Sequence, residues 1–272
     1  KQKKNNFLLE NNINKNYLKN NLSLKYKSKL KKEIKDIYNN LDNRKDTFHI
    51  LSKKFILDLD KLSLKKFTRH KSIILIGMGG SALGCKAIYS FLNKKIKKNF
   101  LFLDNLNQSE IEKIKKKRDL KKSLFIIISK SGNTIETLIN SNLLKDEITY
   151  KNTIIISEKK ENLLNTFAKK RKILRIQHKN YIGGRYSVLS EVGMIPAYLM
   201  GLKVKSFRKN LLTYFNSKKN LILVESVIKI VNIYNLKKIK SIVLLNYATE
   251  LNDFLYWCQQ LIAESLGKQG KG

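Results

Sequence analysis

The chain has 272 residues, 42% of them hydrophobic, and it carries a formal net charge of +35. This length is enough to bury the core of one large domain or two small ones, and no apolar run reaches the roughly 18 residues that a transmembrane helix needs. The lysines are spread along the whole chain among many Asn and Ile residues, which indicates a compositional bias, and no nucleic-acid-binding motif accompanies them, so we expect neither a nucleic acid nor a membrane as partner.

The first predicted elements are helical. Residues 1–45 are a polar lead-in, in which the spacing of apolar residues predicts one amphipathic helix over Leu30–Leu41. A second helix is predicted over His49–Leu62.

From Ser72 onwards, short apolar runs alternate with stretches of helical spacing. The runs are almost wholly apolar, as strands buried on both faces should be, and they are Ile73–Ile76, Phe100–Leu103, Leu124–Ile128 and Thr153–Ile156. Helices are predicted between them, over Ser81–Leu92 and Thr134–Leu144. This alternation predicts a doubly wound α/β fold, a parallel sheet flanked by helices.

A second, similar α/β domain is predicted to begin after residue 205. A helix near Leu221–Tyr234 leads there into an apolar run, Ser241–Leu245, which is typical of a buried strand. The predicted organisation is therefore a helical lead-in over 1–45, a first domain over 46–205 and the beginning of a second domain over 206–272.

A glycine-rich loop, Gly77-Met-Gly-Gly-Ser-Ala-Leu-Gly84, directly follows the first predicted strand. Glycines let backbone N–H groups approach an anion, and the next helix presents its N-terminus to it. Gly79, Gly80 and Ser81 are therefore candidate binding residues. The same loop also fits a dinucleotide fingerprint, with Asp104 placed to bind a ribose, and a tight turn without any ligand is a third interpretation.

A second loop, Ser129-Lys-Ser-Gly-Asn-Thr-Ile-Glu-Thr137, follows the strand Leu124–Ile128. The hydroxyls of Ser129, Ser131 and Thr134 lie within six residues, at the start of a helix. Such a group can hold a phosphomonoester, whereas a capped turn is the alternative interpretation. A dinucleotide-binding domain has no need of this cluster.

The cysteines and the N-terminus indicate the compartment. Cys85 and Cys258 lie far apart and have neither metal-ligand nor disulfide-scaffold spacing. The N-terminus is polar and has no signal-peptide core. We therefore expect a cytoplasmic protein. His49, His70 and His178 are expected to be structural or surface residues.

Both loops resemble those of a known family. The hydroxyl loop resembles the phosphosugar-binding loop of sugar isomerase domains, and the glycine loop resembles the first loop of glucose-6-phosphate isomerases. The segment Gly183-Gly-Arg-Tyr-Ser187 resembles a further signature of that enzyme family, and residues 253–268 resemble its segment with the catalytic glutamate. These four motifs occur in the family's order over residues 73–268.

The resemblance implies an aldose–ketose isomerase acting on glucose 6-phosphate and fructose 6-phosphate. It implies no metal or nucleotide cofactor, and a homodimer with sites near the subunit interface. Glu264 would be the proton-transfer base, Arg185 would stabilise the enediolate and Gln260 would line the site. Gln260 and Glu264 are four residues apart and so share one face of a helix. The phosphate would contact Ser129, Ser131, Thr134 and the backbone amide of Lys130, while Gly79, Gly80 and Ser81 would bind substrate from the first loop.

One departure from the family concerns the C-terminal end. The family's ring-opening histidine and a late lysine lie downstream of the glutamate motif, so the resemblance implies a C-terminally truncated chain that is inactive alone. The alternatives left open are a bifunctional glucose/mannose-6-phosphate isomerase, a non-catalytic sugar-phosphate sensor and a nicotinamide-dependent dehydrogenase.

Overall fold

A computed structural model describes residues 21–117, 120–212, 219–237 and 241–267. Residues 1–20 of the predicted lead-in and Lys268 of the fourth motif therefore lie outside the described residues. Contacts divide the chain into two compact units, Lys1–Asn40 with Asn210–Ile242 and Leu41–Lys209 with Val243–Gly272. The domain boundaries expected at residues 45 and 205 stay a prediction.

The first unit contains two long helices that pack against each other, α1 (Asn21–Asn40) and a later one that we number α9 (Lys219–Lys237). Val224 and Ile228 of α9 are buried. The Asn235 side chain donates a hydrogen bond to the Tyr26 hydroxyl at 2.9 Å. The helices predicted over Leu30–Leu41 and Leu221–Tyr234 are thus confirmed within longer helices, except that α1 ends at Asn40, one residue before Leu41.

The second unit is built on a five-stranded parallel sheet in the order β2-β1-β3-β4-β5. Its strands are β1 (Ser72–Ile76), β2 (Asn99–Leu103), β3 (Leu124–Ile128), β4 (Thr153–Ser157) and β5 (Leu174–Gln177). The first four confirm the predicted runs. Strand β5 was not predicted, because this edge strand exposes Arg175 and Gln177 and so lacks the continuous apolar run of a strand buried on both faces.

Helices cover both faces of the sheet, which confirms the α/β fold. They are α2 (Lys61–Lys65), α3 (Leu83–Phe91), α4 (Gln108–Lys115), α5 (Ile135–Leu143), α6 (Leu163–Lys170), α7 (Glu191–Leu199), α8 (Val204–Arg208) and α10 (Asn252–Leu266).

Alternate residues of β1 belong to two separate cores. Ile73 and Leu75 pack with residues of α3 and α7, whereas Ile74 and Ile76 pack with residues of α4 and α6. Successive side chains of a strand point to opposite faces, so one short apolar run contributes side chains to the cores on both faces of the sheet.

The helix predicted over His49–Leu62 is wrong. The chain forms a 3-10 turn over Thr47–Leu51 and then the short α2, with no helix between them. Two aspartates account for this, because each caps its own short element: Asp46 accepts from the Phe48 N–H at 2.7 Å, and Asp60 accepts from the Leu62 N–H at 2.9 Å.

The strand predicted over Ser241–Leu245 is also wrong. This segment has no regular secondary structure, and the Val243 and Leu245 side chains are each 76% exposed. A buried parallel strand requires neighbouring strands, and none of the strands in the described ranges pairs with this segment. Within the described ranges as a whole, no helix has the length and apolar character of a membrane span.

Candidate active site

The strand order creates a switch point between β1 and β3. Strand β2 pairs with one edge of β1, and β3 pairs with the other edge. Open α/β sheets bind ligands at such a point, beyond the carboxyl ends of the strands. The glycine loop follows β1 and the hydroxyl loop follows β3. A Cβ atom added to Gly77 would lie only 2.9 Å from the carbonyl oxygen of Ile128, so the two loops start in contact.

The hydroxyl loop brings its three predicted side chains together. The Ser129 and Thr134 hydroxyl oxygens are 2.8 Å apart, and the Ser131 hydroxyl oxygen lies 3.5 Å from each of them. Thr134 is the N-cap residue of α5, but its side chain makes no capping hydrogen bond. Three hydroxyls therefore gather at a helix N-terminus, a position that favours anions.

Residues 158–164, which run from the end of β4 into the first turn of α6, hold the hydroxyl loop in shape. The backbone N–H of Glu158 donates to the carbonyl oxygen of Lys130, and that of Leu164 donates to Gly132, both at 3.1 Å. The Lys130 ammonium group donates to the carbonyl oxygen of Asn180 at 2.8 Å. The Lys130 side chain is thus bonded to a neighbouring segment. The group of Lys130 that the resemblance implies as a phosphate contact is its backbone N–H.

Two residues of the glycine loop allow close packing of other segments. A Cβ atom on Gly79 would lie 2.9 Å from Gln260 Nε2, and one on Gly80 would lie 2.4 Å from the carbonyl carbon of Gly184. Gly79 also has a φ of +50°, which favours glycine. These glycines therefore bring α10 and the Gly183–Leu189 segment onto the loop, and Ser81 is half-buried beside them.

The same close packing argues against the dinucleotide interpretation. A fingerprint loop needs its glycine backbone open to a pyrophosphate, whereas the Gln260 side chain lies against Gly79, the second glycine of the Gly77-x-Gly79-x-x-Ala82 fingerprint. Asp104, which would bind a ribose, instead pairs with the Lys86 ammonium group at 2.7 Å.

Arg185 and Glu264, the two predicted catalytic residues, form an ion pair. Arg185 Nη1 lies 3.1 Å from Glu264 Oε2, and Gln260 Nε2 donates to Glu264 Oε1 at 2.7 Å. Both carboxylate oxygens thus accept a hydrogen bond, while the Glu264 side chain remains 45% exposed. The neighbouring Tyr186 and the Glu264 carboxylate raise the pKa of Arg185 above its ordinary value.

The amide of Gln260 retains one unused atom. Its Oε1 is buried and has no hydrogen-bond partner among the residues described. A buried acceptor without a partner is costly, so the hydrogen bond from Gln260 to Glu264 is made at the expense of an unpaired oxygen.

Three further residues in this cluster were missed from the sequence. Arg185 Nε donates to the Ser265 hydroxyl at 3.2 Å, and the Tyr186 and Ser265 hydroxyls lie 3.0 Å apart. Trp257 Nε1 donates to the carbonyl oxygen of Arg185 at 2.9 Å. Each of them lies inside or beside a motif that was recognised, but the motif alone does not say which neighbours touch.

The histidines lie apart from these contacts. Nδ1 of each ring is within 3.0 Å of a backbone carbonyl oxygen, and all three residues are buried. This bears out the structural role expected for them. The part of the chain described contains no group of three or more His, Cys, Asp or Glu residues that could hold a metal ion.

Comparison with known proteins adds to these observations. The glucose-6-phosphate isomerase of Methanocaldococcus jannaschii is 31% identical over 251 residues, which cover 89% of this chain and 62% of that protein. The Campylobacter jejuni glucose-6-phosphate isomerase is 34% identical over 210 residues, covering 73% and 51%. The chain thus spans between about half and three-fifths of the length of these relatives.

Solved structures show the same fold. A glucose-6-phosphate isomerase from Chlamydia trachomatis superposes with a TM-score of 0.71 at 20% identity, covering 92% of this chain and 57% of that one. A hypothetical protein from Thermus thermophilus gives a TM-score of 0.69 at 23% identity, with 92% and 63% covered.

The family itself follows from a direct match. The model of the family described as phosphoglucose isomerase matches residues 11–271, a range that contains the glycine loop, the hydroxyl loop and the Arg185–Glu264 pair. The resemblance inferred from four short motifs is thereby confirmed over nearly the whole chain. This chain belongs to the phosphoglucose isomerase family.

Proposed function

We propose that the protein containing this chain interconverts glucose 6-phosphate and fructose 6-phosphate. The observation that carries the proposal is the exposed Glu264 carboxylate, held by Arg185 at 3.1 Å and by Gln260 at 2.7 Å. Moving a carbonyl group between adjacent carbons requires one base that removes and returns a proton, beside a cation that stabilises the enediolate. The relatives named glucose-6-phosphate isomerase support this choice of substrate.

In the proposed reaction, the phosphate of the open-chain sugar binds at Ser129, Ser131, Thr134 and the N-terminus of α5. Glu264 takes the proton from C2, and the electron pair moves to the C1 carbonyl oxygen, which Arg185 stabilises as an enediolate. Glu264 returns its proton to C1. The O2 proton is transferred to O1, which leaves a hydroxyl group on C1 and a ketone at C2.

Gln260 orients the base in this proposal. Its Nε2 fixes one oxygen of Glu264 and leaves the other to Arg185, so that the carboxylate is oriented before substrate arrives. The homodimer and the cytoplasmic location stay predictions.

The test is proton exchange in the intact gene product that contains these residues. Glu264→Gln keeps the shape of the side chain but removes the basic oxygen. We expect kcat to fall by about 10²–10⁴-fold, together with the exchange of the C2 proton against heavy water, while thermal stability and phosphate binding survive. The matched control is Glu250→Gln, which changes an exposed carboxylate shortly before α10 and should leave turnover unchanged.

Two outcomes would contradict the proposal. A wild-type protein that isomerises neither sugar phosphate would refute the function itself. Exchange at the wild-type rate by Glu264→Gln would show that another residue is the base. An assay with mannose 6-phosphate distinguishes the bifunctional alternative, because only a glucose/mannose-6-phosphate isomerase would convert this sugar as well.

A further inference from the structure

The guanidinium group of Arg185 is held from several sides. Nη1 pairs with Glu264 and Nε donates to the Ser265 hydroxyl at 3.2 Å, so adjacent residues of α10 engage two of its three nitrogens. The guanidinium carbon lies 4.7 Å from the centre of the Tyr186 ring. The Tyr186 hydroxyl lies 3.0 Å from the Ser265 hydroxyl, so the two residues that contact the guanidinium group also contact each other.

We propose that Ser265 and Tyr186 are positioning residues that hold the Arg185 guanidinium in the orientation needed beside Glu264. This proposal rests on the proposed isomerase function. Ser265 fixes the guanidinium within its plane through Nε, and the Tyr186 ring fixes the plane itself. The remaining nitrogen, Nη2, is thereby left for the enediolate oxygen.

The need for such positioning follows from the exposure of the arginine. The Arg185 side chain is 27% exposed and, like any arginine, has many rotamers, but its donors are useful only when the planar fork is correctly oriented. Preorganised donors stabilise charge in a transition state without reorganising. A misplacement of about 1 Å can cost about 10²-fold in rate.

The chemistry of a hydroxyl suits Ser265 to this position. Arg185 Nε can only donate, so the Ser265 oxygen must accept from it, and a second hydrogen bond to the Tyr186 oxygen remains possible because a hydroxyl has one donor and two acceptor sites. The Ser265 hydrogen bond, helped by the neighbouring Arg185, lowers the pKa of Tyr186 from its ordinary value, against the opposing effects of partial burial and of Glu264. The phenol is therefore coupled to both partners.

The first test separates kcat from KM in the intact gene product. Ser265→Ala removes the hydroxyl that accepts from Arg185 Nε, and Tyr186→Leu removes the ring that covers the guanidinium group. For each we expect kcat to fall by about 10- to 100-fold, with KM for glucose 6-phosphate changed by less than about 3-fold, because the phosphate contacts lie on another loop. Ser265→Thr keeps the hydroxyl and should restore most of kcat.

A double-mutant cycle distinguishes positioning from general structural damage. Arg185→Lys replaces Nε by a methylene group, so the hydrogen bond from this position to Ser265 is lost. If Ser265 acts by positioning Arg185, adding Ser265→Ala to Arg185→Lys should lower kcat by less than about 2-fold further. Independent effects of the two substitutions would instead multiply. Multiplicative losses would contradict the proposal.

A second measurement does not depend on activity. The difference in near-ultraviolet absorbance between the wild type and Tyr186→Phe reports the titration of this one phenol, and the same difference is taken in the Ser265→Ala background. We expect the pKa of Tyr186 to move back towards its ordinary value when Ser265 is replaced. A pKa unchanged by Ser265→Ala would overturn the proposal.

The outcomes separate the two proposals. An active wild type with a fully active Ser265→Ala variant would refute the positioning role and leave the isomerase function standing. A wild type without isomerase activity would refute the function, on which the positioning role rests.

Discussion

Gly132 shows how one residue sets the shape of the hydroxyl loop. Its φ is +70°, a conformation that costs other residues about 1–2 kcal/mol. A Cβ atom on Gly132 would also lie 2.0 Å from the Asn162 Oδ1 atom. That oxygen is already engaged, since Asn162 caps α6 by accepting from the Asn165 N–H at 2.9 Å. The loop and the start of α6 therefore depend on the absence of this one side chain.

We predict that Gly132→Ala weakens phosphate binding. The added Cβ must displace Asn162 and distort the hydroxyl loop, so KM for glucose 6-phosphate should rise by at least about 10-fold, the equivalent of about 1.4 kcal/mol. The matched control is Gly201→Ala. Gly201 has a φ of +88° but open space around it, so this variant should lower the melting temperature by backbone strain and leave KM unchanged. Equal KM values for the two variants would contradict the prediction.

Single residues also show how far the sequence could predict the site. Ser129, Ser131 and Thr134 could be recognised together because they lie within six residues at a strand-to-helix turn. The contact between Tyr186 and Ser265 could not, because it spans 79 positions and depends on the direction in which each side chain leaves its own segment. The same limit applies to the packing of Gly80 against Gly184.

At the scale of elements, α10 carries much of the candidate site and docks on α3. Ser90 of α3 donates a hydrogen bond to the Asp253 carboxylate in the first turn of α10. Trp257, one turn later, donates to the carbonyl oxygen of Arg185. Since Gln260 and Glu264 continue along the same helix, a shift of α10 would move the proposed base and the arginine together.

We predict that Trp257 reports on occupancy of the site. It is the one tryptophan of this chain, and its indole N–H is bonded to the backbone of Arg185, so a ligand that contacts the Arg185 guanidinium should change its fluorescence. The measurement is a titration of the intact gene product with a sugar-phosphate inhibitor. The control is Trp257→Phe, in which this component of the change should be lost. A saturating titration without any component dependent on Trp257 would refute the prediction.

The elements also show which structural signals the sequence contained. Strands β1, β3 and β4 could be predicted because each is almost entirely apolar and, apart from the half-buried Ser72 at the start of β1, buried on both faces. Residues 241–245 have the same apolar character, yet Val243 and Leu245 are exposed. Composition alone therefore predicts a tendency to form a strand, whereas neighbouring strands decide whether it forms.

At the scale of the whole molecule, the charge of +35 raises the question whether anion binding is general or local. Exposed charges are screened beyond about 8 Å at physiological ionic strength, so distant lysines attract a sugar phosphate weakly. Hydroxyls and backbone N–H groups at the start of α5 act by direct hydrogen bonds instead. We therefore expect binding to depend on the local group.

We predict that Ser131→Ala raises KM for glucose 6-phosphate by about 5- to 150-fold, since a hydrogen bond to a charged group contributes about 1–3 kcal/mol. The comparison is a triple variant, Lys169, Lys170 and Lys172 to glutamine, at the opposite end of α6 from the hydroxyl loop. These exposed lysines should change KM by less than about 2-fold at physiological salt. The reverse order of effects would show that the general charge binds the substrate.

The two halves of the site differ in the length of chain that each must close. Ser129 and Thr134 are five positions apart, whereas Arg185 and Glu264 are separated by 79. The entropy lost on closing a loop grows with its length, and contacts distant in sequence are slow to form. We therefore expect a folding chain to complete its phosphate-binding loop before its catalytic pair. A partly folded molecule would then retain a phosphate ester that it has no means of converting, and ligand binding alone would be no measure of complete folding.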